Sequence, residues 1–141
     1  MSLVKFYYVP DPYLDPVTNQ RKEILRPKIP IRLAYEHKLS KVLVDCLIDS
    51  GSDTNLFPAD WGRSVGIRIE KGDYDQIRGI GDVDIDSYIH KVGLYIGSKR
   101  INVNANFSDE QNVPLLGRQG FFDQFPYIKF NEKSKYVEIK V

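Results

Sequence analysis

Hydrophobic and polar positions along this chain fall into short runs, several of which alternate with a period of two. The alternation is plainest over residues 29–35, 88–96 and 136–141. A period of two buries one face of a strand and leaves the other in water. Residues 42–48, apolar except for Asp45, and residues 100–107 add two further strands. Gly97-Ser98-Lys99 supplies a turn between 88–96 and 100–107, and residues 36–40 read as the hairpin tip joining 29–35 to 42–48. A first strand is expected over residues 4–9. Pro10-Asp11-Pro12-Tyr13-Leu14-Asp15-Pro16 then reads as an exposed connector without regular structure, because its prolines lack backbone donors. Helix is confined to two short pieces. One spans residues 58–66, with Pro58 at its start and Gly66 as its stop, and carries Trp61 as a core plug. The other is one to two turns over residues 119–125, closed by Pro126 and followed by strands over 127–130 and 135–141. The pattern is that of an all-β fold with little helix.

The apolar run 42–48 stops at a carboxylate. Leu47-Ile48-Asp49-Ser50-Gly51-Ser52-Asp53 carries a strand into a tight turn, with Gly51 free to adopt a positive φ there. Asp49 is left at the edge of an apolar region, where the proton affinity of a carboxyl group can be tuned. The Ser50 hydroxyl is small enough to hydrogen-bond across the turn. The same three residues also suit an ordinary Asx-turn between two strands.

Composition narrows the remaining possibilities. The 141 residues make one domain, large enough to bury a core without disulfides or a structural metal. The lone cysteine, Cys46, sits inside an apolar strand and reads as a buried, inert thiol. Twenty basic and 19 acidic residues leave a net charge of +1, and Lys71, Arg78, Lys91, Lys99 and Arg100 are interleaved with acids, so neither nucleic acid nor membrane is an expected partner. No apolar stretch is long enough to cross a bilayer, and the first residues lack the basic-then-apolar order of a signal peptide. A cytoplasmic chain is expected. Asp73, Asp75, Asp82, Asp84 and Asp86 form an acidic cluster, but it lacks the glycine and distal glutamate of a calcium-binding loop, so no metal and no cofactor are expected. His37 and His90 have no serine or cysteine partner motif and are expected on the surface.

Three short elements together give the chain a resemblance. Leu47-Ile48-Asp49-Ser50-Gly51-Ser52-Asp53 resembles the active-site loop of the retropepsin family of aspartic proteases. Gln76-Ile77-Arg78-Gly79-Ile80-Gly81-Asp82 is similar to that family's glycine-rich flap, although Asp82 stands where a further glycine is common. Val113-Pro114-Leu115-Leu116-Gly117-Arg118 resembles the apolar-apolar-glycine element that threads behind the active-site loop as a psi-loop, ahead of a short C-terminal helix. The resemblance covers about residues 28–141, leaving residues 1–27 as an N-terminal arm and connector.

The resemblance implies an all-β acid-protease barrel closed by a flap hairpin, with Asp49, Ser50 and Gly51 as the catalytic element. It implies that Ser52, Asp53, Arg78, Gly79, Ile80 and Gly81 contact a peptide substrate and that Asp53 pairs with Arg118. The chain carries a single Asp-Ser-Gly, whereas this chemistry needs two aspartates, so the resemblance further implies a homodimer with one Asp49 from each subunit. A second reading remains open: a weak or inactive module of the same fold that dimerises and binds peptides. The intact Asp-Ser-Gly favours catalysis, and Asp82 and the long arm favour the alternative.

Overall fold

Alternating burial follows the alternating sequence. In the computed structural model, which describes residues 2–79 and 81–141, strand β4 (Lys28–Tyr35) buries Ile29, Ile31 and Leu33 completely while Lys28, Pro30 and Arg32 stay partly exposed. The other strands among the described residues are β1 (Leu3–Tyr7), β2 (Val9–Leu14), β3 (Arg21–Arg26), β5 (Lys38–Leu39), β6 (Val44–Ile48) and β7 (Leu56–Pro58). They continue with β8 (Asp73–Arg78), β9 (Asp84–Ile96), β10 (Lys99–Ser108), β11 (Leu115–Leu116), β12 (Ile128–Asn131) and β13 (Tyr136–Lys140). Helix α1 spans Ala59–Ser64.

The large sheet runs β5-β4-β6-β11-β7-β10-β9-β8, and a further antiparallel pairing of β4 with β9, from Arg32↔Tyr95 to Ala34↔Gly93, closes it on itself. A barrel of six strands results, β4-β6-β11-β7-β10-β9, which removes the exposed edges an open sheet would present. Its interior is aliphatic and aromatic. Phe57, Phe107 and Phe121 are fully buried, with the Phe57 and Phe107 rings 5.6 Å apart and edge to face. Cys46 is fully buried on β6, and burial pushes its thiol pKa well up, which makes it unreactive.

Helix α1 forms where expected, with Pro58 at its N-cap and Gly66 at φ +88° just past its end. Trp61 is half-buried and packs edge-on against Phe57, with ring centroids 4.9 Å apart. The expected C-terminal helix is reduced to a single 3-10 turn, Phe122–Gln124. Gly120 at φ +101° breaks the helical path before the turn, and the Asp123 carboxylate accepts the Gly120 N–H at 3.0 Å.

The first 26 residues depart further from expectation. Residues 9–14 are a strand and not an irregular connector: β2 pairs antiparallel with β3 from Val9↔Arg26 to Leu14↔Arg21. Pro10 and Pro12 lie two apart, so their nitrogens face the same side of the strand. In a two-stranded sheet one such side is an open edge, where a missing donor costs nothing. Asp11 pairs with Arg26 and Lys28 at 2.9 and 3.2 Å, and Asp15 with Lys22 at 2.7 Å. Strand β1 is part of a second sheet, ordered β1-β13-β12, and pairs with β13 from Leu3↔Lys140 to Tyr7↔Tyr136.

Tyr8 follows β1 into the core, and its hydroxyl donates to Glu132 Oε1 at 2.9 Å. Burial, then the Glu132 carboxylate, pushes the Tyr8 pKa up to about 12. A pKa raised on folding stabilises the fold fully below the unfolded value, about 10, and that stabilisation disappears as pH rises through about 12. Wild type is therefore expected to lose stability more steeply than Tyr8→Phe over this window. Urea midpoints at about pH 9 and about pH 12 measure the difference, and parallel losses in both chains would contradict it.

His90 is not on the surface. It is half-buried on β9, with Nε2 2.8 Å from the Ile69 carbonyl oxygen and its ring edge-on to Tyr35 and Phe107. His37 is exposed in the β4–β5 turn, as expected. No helix among the described residues is long and apolar enough to cross a membrane.

Candidate active site

Strand β6 ends at Asp49 between two neighbours. On one side β4 runs antiparallel to it, pairing Lys28 with Leu47, and the Ile48 N–H donates to the Pro27 carbonyl at 3.0 Å. On the other side β11 runs parallel, pairing Leu115 with Leu47 and Leu116 with Ile48. The Asp49 N–H donates to the Leu116 carbonyl at 2.9 Å, so the backbone of the aspartate is fixed from behind. Ile48, Cys46 and Leu116 are buried directly beneath, while Asp49 itself is half-exposed. The carboxylate sits at the rim of an apolar wall.

The turn beyond it is a β-turn closed by the Ser52 N–H donating to the Asp49 carbonyl at 3.1 Å. Asp49 Oδ1 accepts the Gly51 N–H at 2.9 Å, an Asx-turn built into the same loop. Gly51 does not adopt a positive φ. A side chain is instead disfavoured there because its Cβ would lie 3.2 Å from Asp49 Oδ1. Ser50 is exposed, and the hydroxyl that bonds locally is that of Ser52, donating to the Thr54 carbonyl at 2.7 Å.

Strand β11 lies between β6 and β7, parallel to the first and antiparallel to the second, and the chain leaves it through Gly117 behind the Asp49 loop. Arg118 N–H donates to the Ser52 carbonyl at 2.9 Å and Gln119 N–H to the Asp53 carbonyl at 2.8 Å. The two passing segments are thus stitched by backbone bonds. Asn55, fully buried, completes the seam: its Oδ1 accepts the Gly117 N–H at 3.0 Å and its Nδ2 donates to the Asn104 carbonyl at 3.2 Å. Nothing in the sequence motif marks Asn55. The one signal is a polar residue placed directly before the apolar pair Leu56-Phe57, where a strand is entering the core.

Strands β8 and β9 form an antiparallel hairpin from Asp73↔Ile89 to Arg78↔Asp84. Its tip is pinned by the Gly79 N–H donating to the Val83 carbonyl at 2.7 Å, with Gly81 at φ +81° and Asp82 at φ +60°. Aspartate tolerates that left-handed angle better than most residues.

Comparison with known proteins identifies the arrangement. No family model and no curated protein matches the sequence, but solved structures match the fold. A retropepsin-like aspartic protease from Rickettsia conorii superposes with a TM-score of 0.62 at 11% identity, covering 98% of this chain and 91% of that one. EIAV protease complexed with the inhibitor HBY-793 gives a TM-score of 0.50 at 21% identity, covering 66% of this chain and 82% of that one. The chain has the retropepsin-like fold.

Within this retropepsin-like fold the sequence-derived residues separate into groups. Asp49, Ser50, Gly51, Ser52 and Asp53 form one loop backed by Leu115, Leu116 and Gly117. Arg78, Gly79 and Gly81 lie at the hairpin tip, and Ile80 lies outside the described residues. Arg78 is engaged locally, its Nε 3.2 Å from Asp84 Oδ1 and its Nη1 3.6 Å from Asp82 Oδ1. Asp53 and Arg118 are brought side by side through their backbones and line a shared cleft of about 450 Å³ with Gln119, Phe122 and Asp123. Their side chains are exposed and, among the described residues, form no ion pair with each other. Within one chain the two segments are joined by main-chain bonds, and exposed charges gain little from pairing in water.

Proposed function

We propose that two copies of this chain form an aspartic endopeptidase whose single active site holds both Asp49 carboxyl groups. The observation that carries this reading is the setting of Asp49: its backbone is anchored to Leu116, its Oδ1 is oriented by the Gly51 N–H, and its carboxylate stands at a solvent-facing rim over buried Ile48 and Leu116. Peptide hydrolysis by carboxyl groups needs one protonated, to polarise the scissile carbonyl, and one ionised, to take a proton from the attacking water. Two carboxylates in contact cannot both be ionised, so the pair holds one proton and titrates as a unit. A chain with one Asp-Ser-Gly supplies half of this, and a twofold axis beside Asp49 supplies the rest.

Ser50 and Gly51 belong to the catalytic loop in this reading. Ser52 and Asp53 face the substrate backbone, with Arg78, Gly79, Ile80 and Gly81 covering it from the hairpin. The substrate lies as an extended strand between the β8–β9 hairpin, acting as a flap, and the barrel. Residues 28–141 act as the protease domain, and residues 1–27 as an arm joined to it.

The test is incubation with an unfolded protein mixture from about pH 3 to 8, with and without a pepstatin-type inhibitor, alongside the mass in solution by sedimentation. Inhibitor-sensitive cleavage is expected, with specific activity falling faster than linearly once dilution separates the dimer. A strict monomer that cleaves at an undiminished rate would overturn the shared site. Absence of cleavage at every pH would leave the chain as a peptide-binding module of the same fold.

A further inference from the structure

A cleft of about 490 Å³, lined by polar and apolar surface in near-equal measure, opens beside the catalytic loop, and nothing in the mechanism above accounts for it. Thr54, five residues past Asp49, forms one wall with Gln119, to which it is joined by a parallel bridge. Asp75 of β8, the first strand of the hairpin, lines the same cleft. Asn104 and Asn106 of β10 and Asp123 also line it, beside the apolar Ile89 and Val103. The cleft therefore spans from the catalytic loop to the hairpin, the two elements between which a peptide would lie.

Its chemistry is that of an acceptor site. Asn106 is 2% exposed, and both hydrogens of its amide nitrogen are spent, on Asp75 Oδ2 at 2.9 Å and on Ser87 Oγ at 3.0 Å. Among the described residues nothing donates to its Oδ1, and this oxygen is not sealed from solvent, so it stays open to a donor entering the cleft. Asp75 is oriented by that same amide. Among the described residues it forms no ion pair, in contrast to Asp82 and Asp84, which share Arg78. The Asp123 carboxylate takes only neutral donors, the Gly120 N–H and the Gln124 amide, each at 3.0 Å. No lysine, arginine or histidine lines the cleft. A group offering several donors, no acceptor and a positive charge is its complement, and ammonium and guanidinium side chains are such groups.

We propose that this cleft is a specificity subsite that takes the lysine or arginine side chain of an extended peptide, with Asp75 as its charged partner and Asn106 Oδ1 as its neutral acceptor. The location rests on the endopeptidase reading, since that reading places a peptide between loop and hairpin. Recognition and hydrolysis are nonetheless separable by experiment. Binding is measured with the Asp49→Asn chain and a library of extended decapeptides in which one position at a time is lysine or norleucine. Lysine is expected to bind at least about tenfold tighter than norleucine at one fixed position. That preference is expected to fall to near unity when Asp75→Asn is added, and equally when Gln119→Lys places a fixed cation at the rim, a second variant that leaves Asp75 and its amide partner intact. Equal binding of both series, a preference unchanged by either variant, or no binding of any peptide would overturn the subsite. Cleavage of the same library by the unsubstituted chain is scored separately: preference without cleavage keeps the subsite and defeats the endopeptidase reading, and cleavage without preference does the reverse.

Discussion

Asparagine at position 49 is expected to abolish peptide hydrolysis while leaving the subunit folded. The side chain keeps its size and its Oδ1, so the bond from the Gly51 N–H at 2.9 Å and the backbone bond to Leu116 both survive. What disappears is the group that holds or accepts the catalytic proton, and its removal is expected to slow cleavage by at least about a thousandfold. Mixing gives a sharper result. If subunits of wild type and Asp49→Asn are combined in equal amounts and allowed to exchange, about one quarter of random dimers retain both aspartates. An active site contained in one chain would instead leave about one half of the activity, since each wild-type subunit would work alone. A residual activity near one half, with complete exchange confirmed by mass, would contradict the shared dyad.

The second large effect is one of stability. Gly117→Ala places a Cβ 2.1 Å from the Thr54 carbonyl oxygen, 2.4 Å from its carbon and 2.8 Å from the Ser52 carbonyl oxygen. All three atoms are backbone, and each belongs to the loop that carries Asp49, so no side-chain rotation relieves the clash. The two segments must separate, which strains the Gly117 N–H bond to Asn55 and the Arg118 N–H bond to Ser52. A cost of about 3 kcal/mol or more is expected, at the upper end of overpacking. Urea unfolding measures it, and a midpoint within error of wild type would show that the crossing is looser than its geometry implies. Gly51→Ala serves as the contrast. Its Cβ meets only a carboxylate oxygen at 3.2 Å, so its effect is expected on activity more than on stability.

The two glycines also show what a linear sequence discloses. The crossing at Gly117 was legible only through the family resemblance that Leu115-Leu116-Gly117 carries, since an apolar pair followed by glycine marks no crossing by itself. Period two was enough to find β4 and β13, where one face is wholly buried. Asp49 was legible because the apolar run feeding it breaks so abruptly. Local patterns did not disclose features that depend on a distant neighbour. Pro10 and Pro12 were read as excluding a strand, since nothing nearby says that their nitrogens face an open edge. His90 was assigned to the surface because its partner, the Ile69 carbonyl, arrives from 21 residues away. Asn55 escaped notice because its two partners, Gly117 and Asn104, are 62 and 49 residues distant. Asp53 and Arg118 are placed together as expected, but within one chain both stay in water and it is main-chain bonds that join their segments.

The pairing of β1 with β13 has a consequence for time. Leu3 and Lys140 are neighbours in space and lie at opposite ends of the chain in sequence. Contacts of such separation are reached late, because nearly the whole chain must be ordered before they can form, and folds rich in them form slowly. The slow step is nonetheless unimolecular here, since both strands belong to one chain. Refolding of the terminal sheet is therefore expected to proceed after the barrel has formed and at a rate independent of protein concentration.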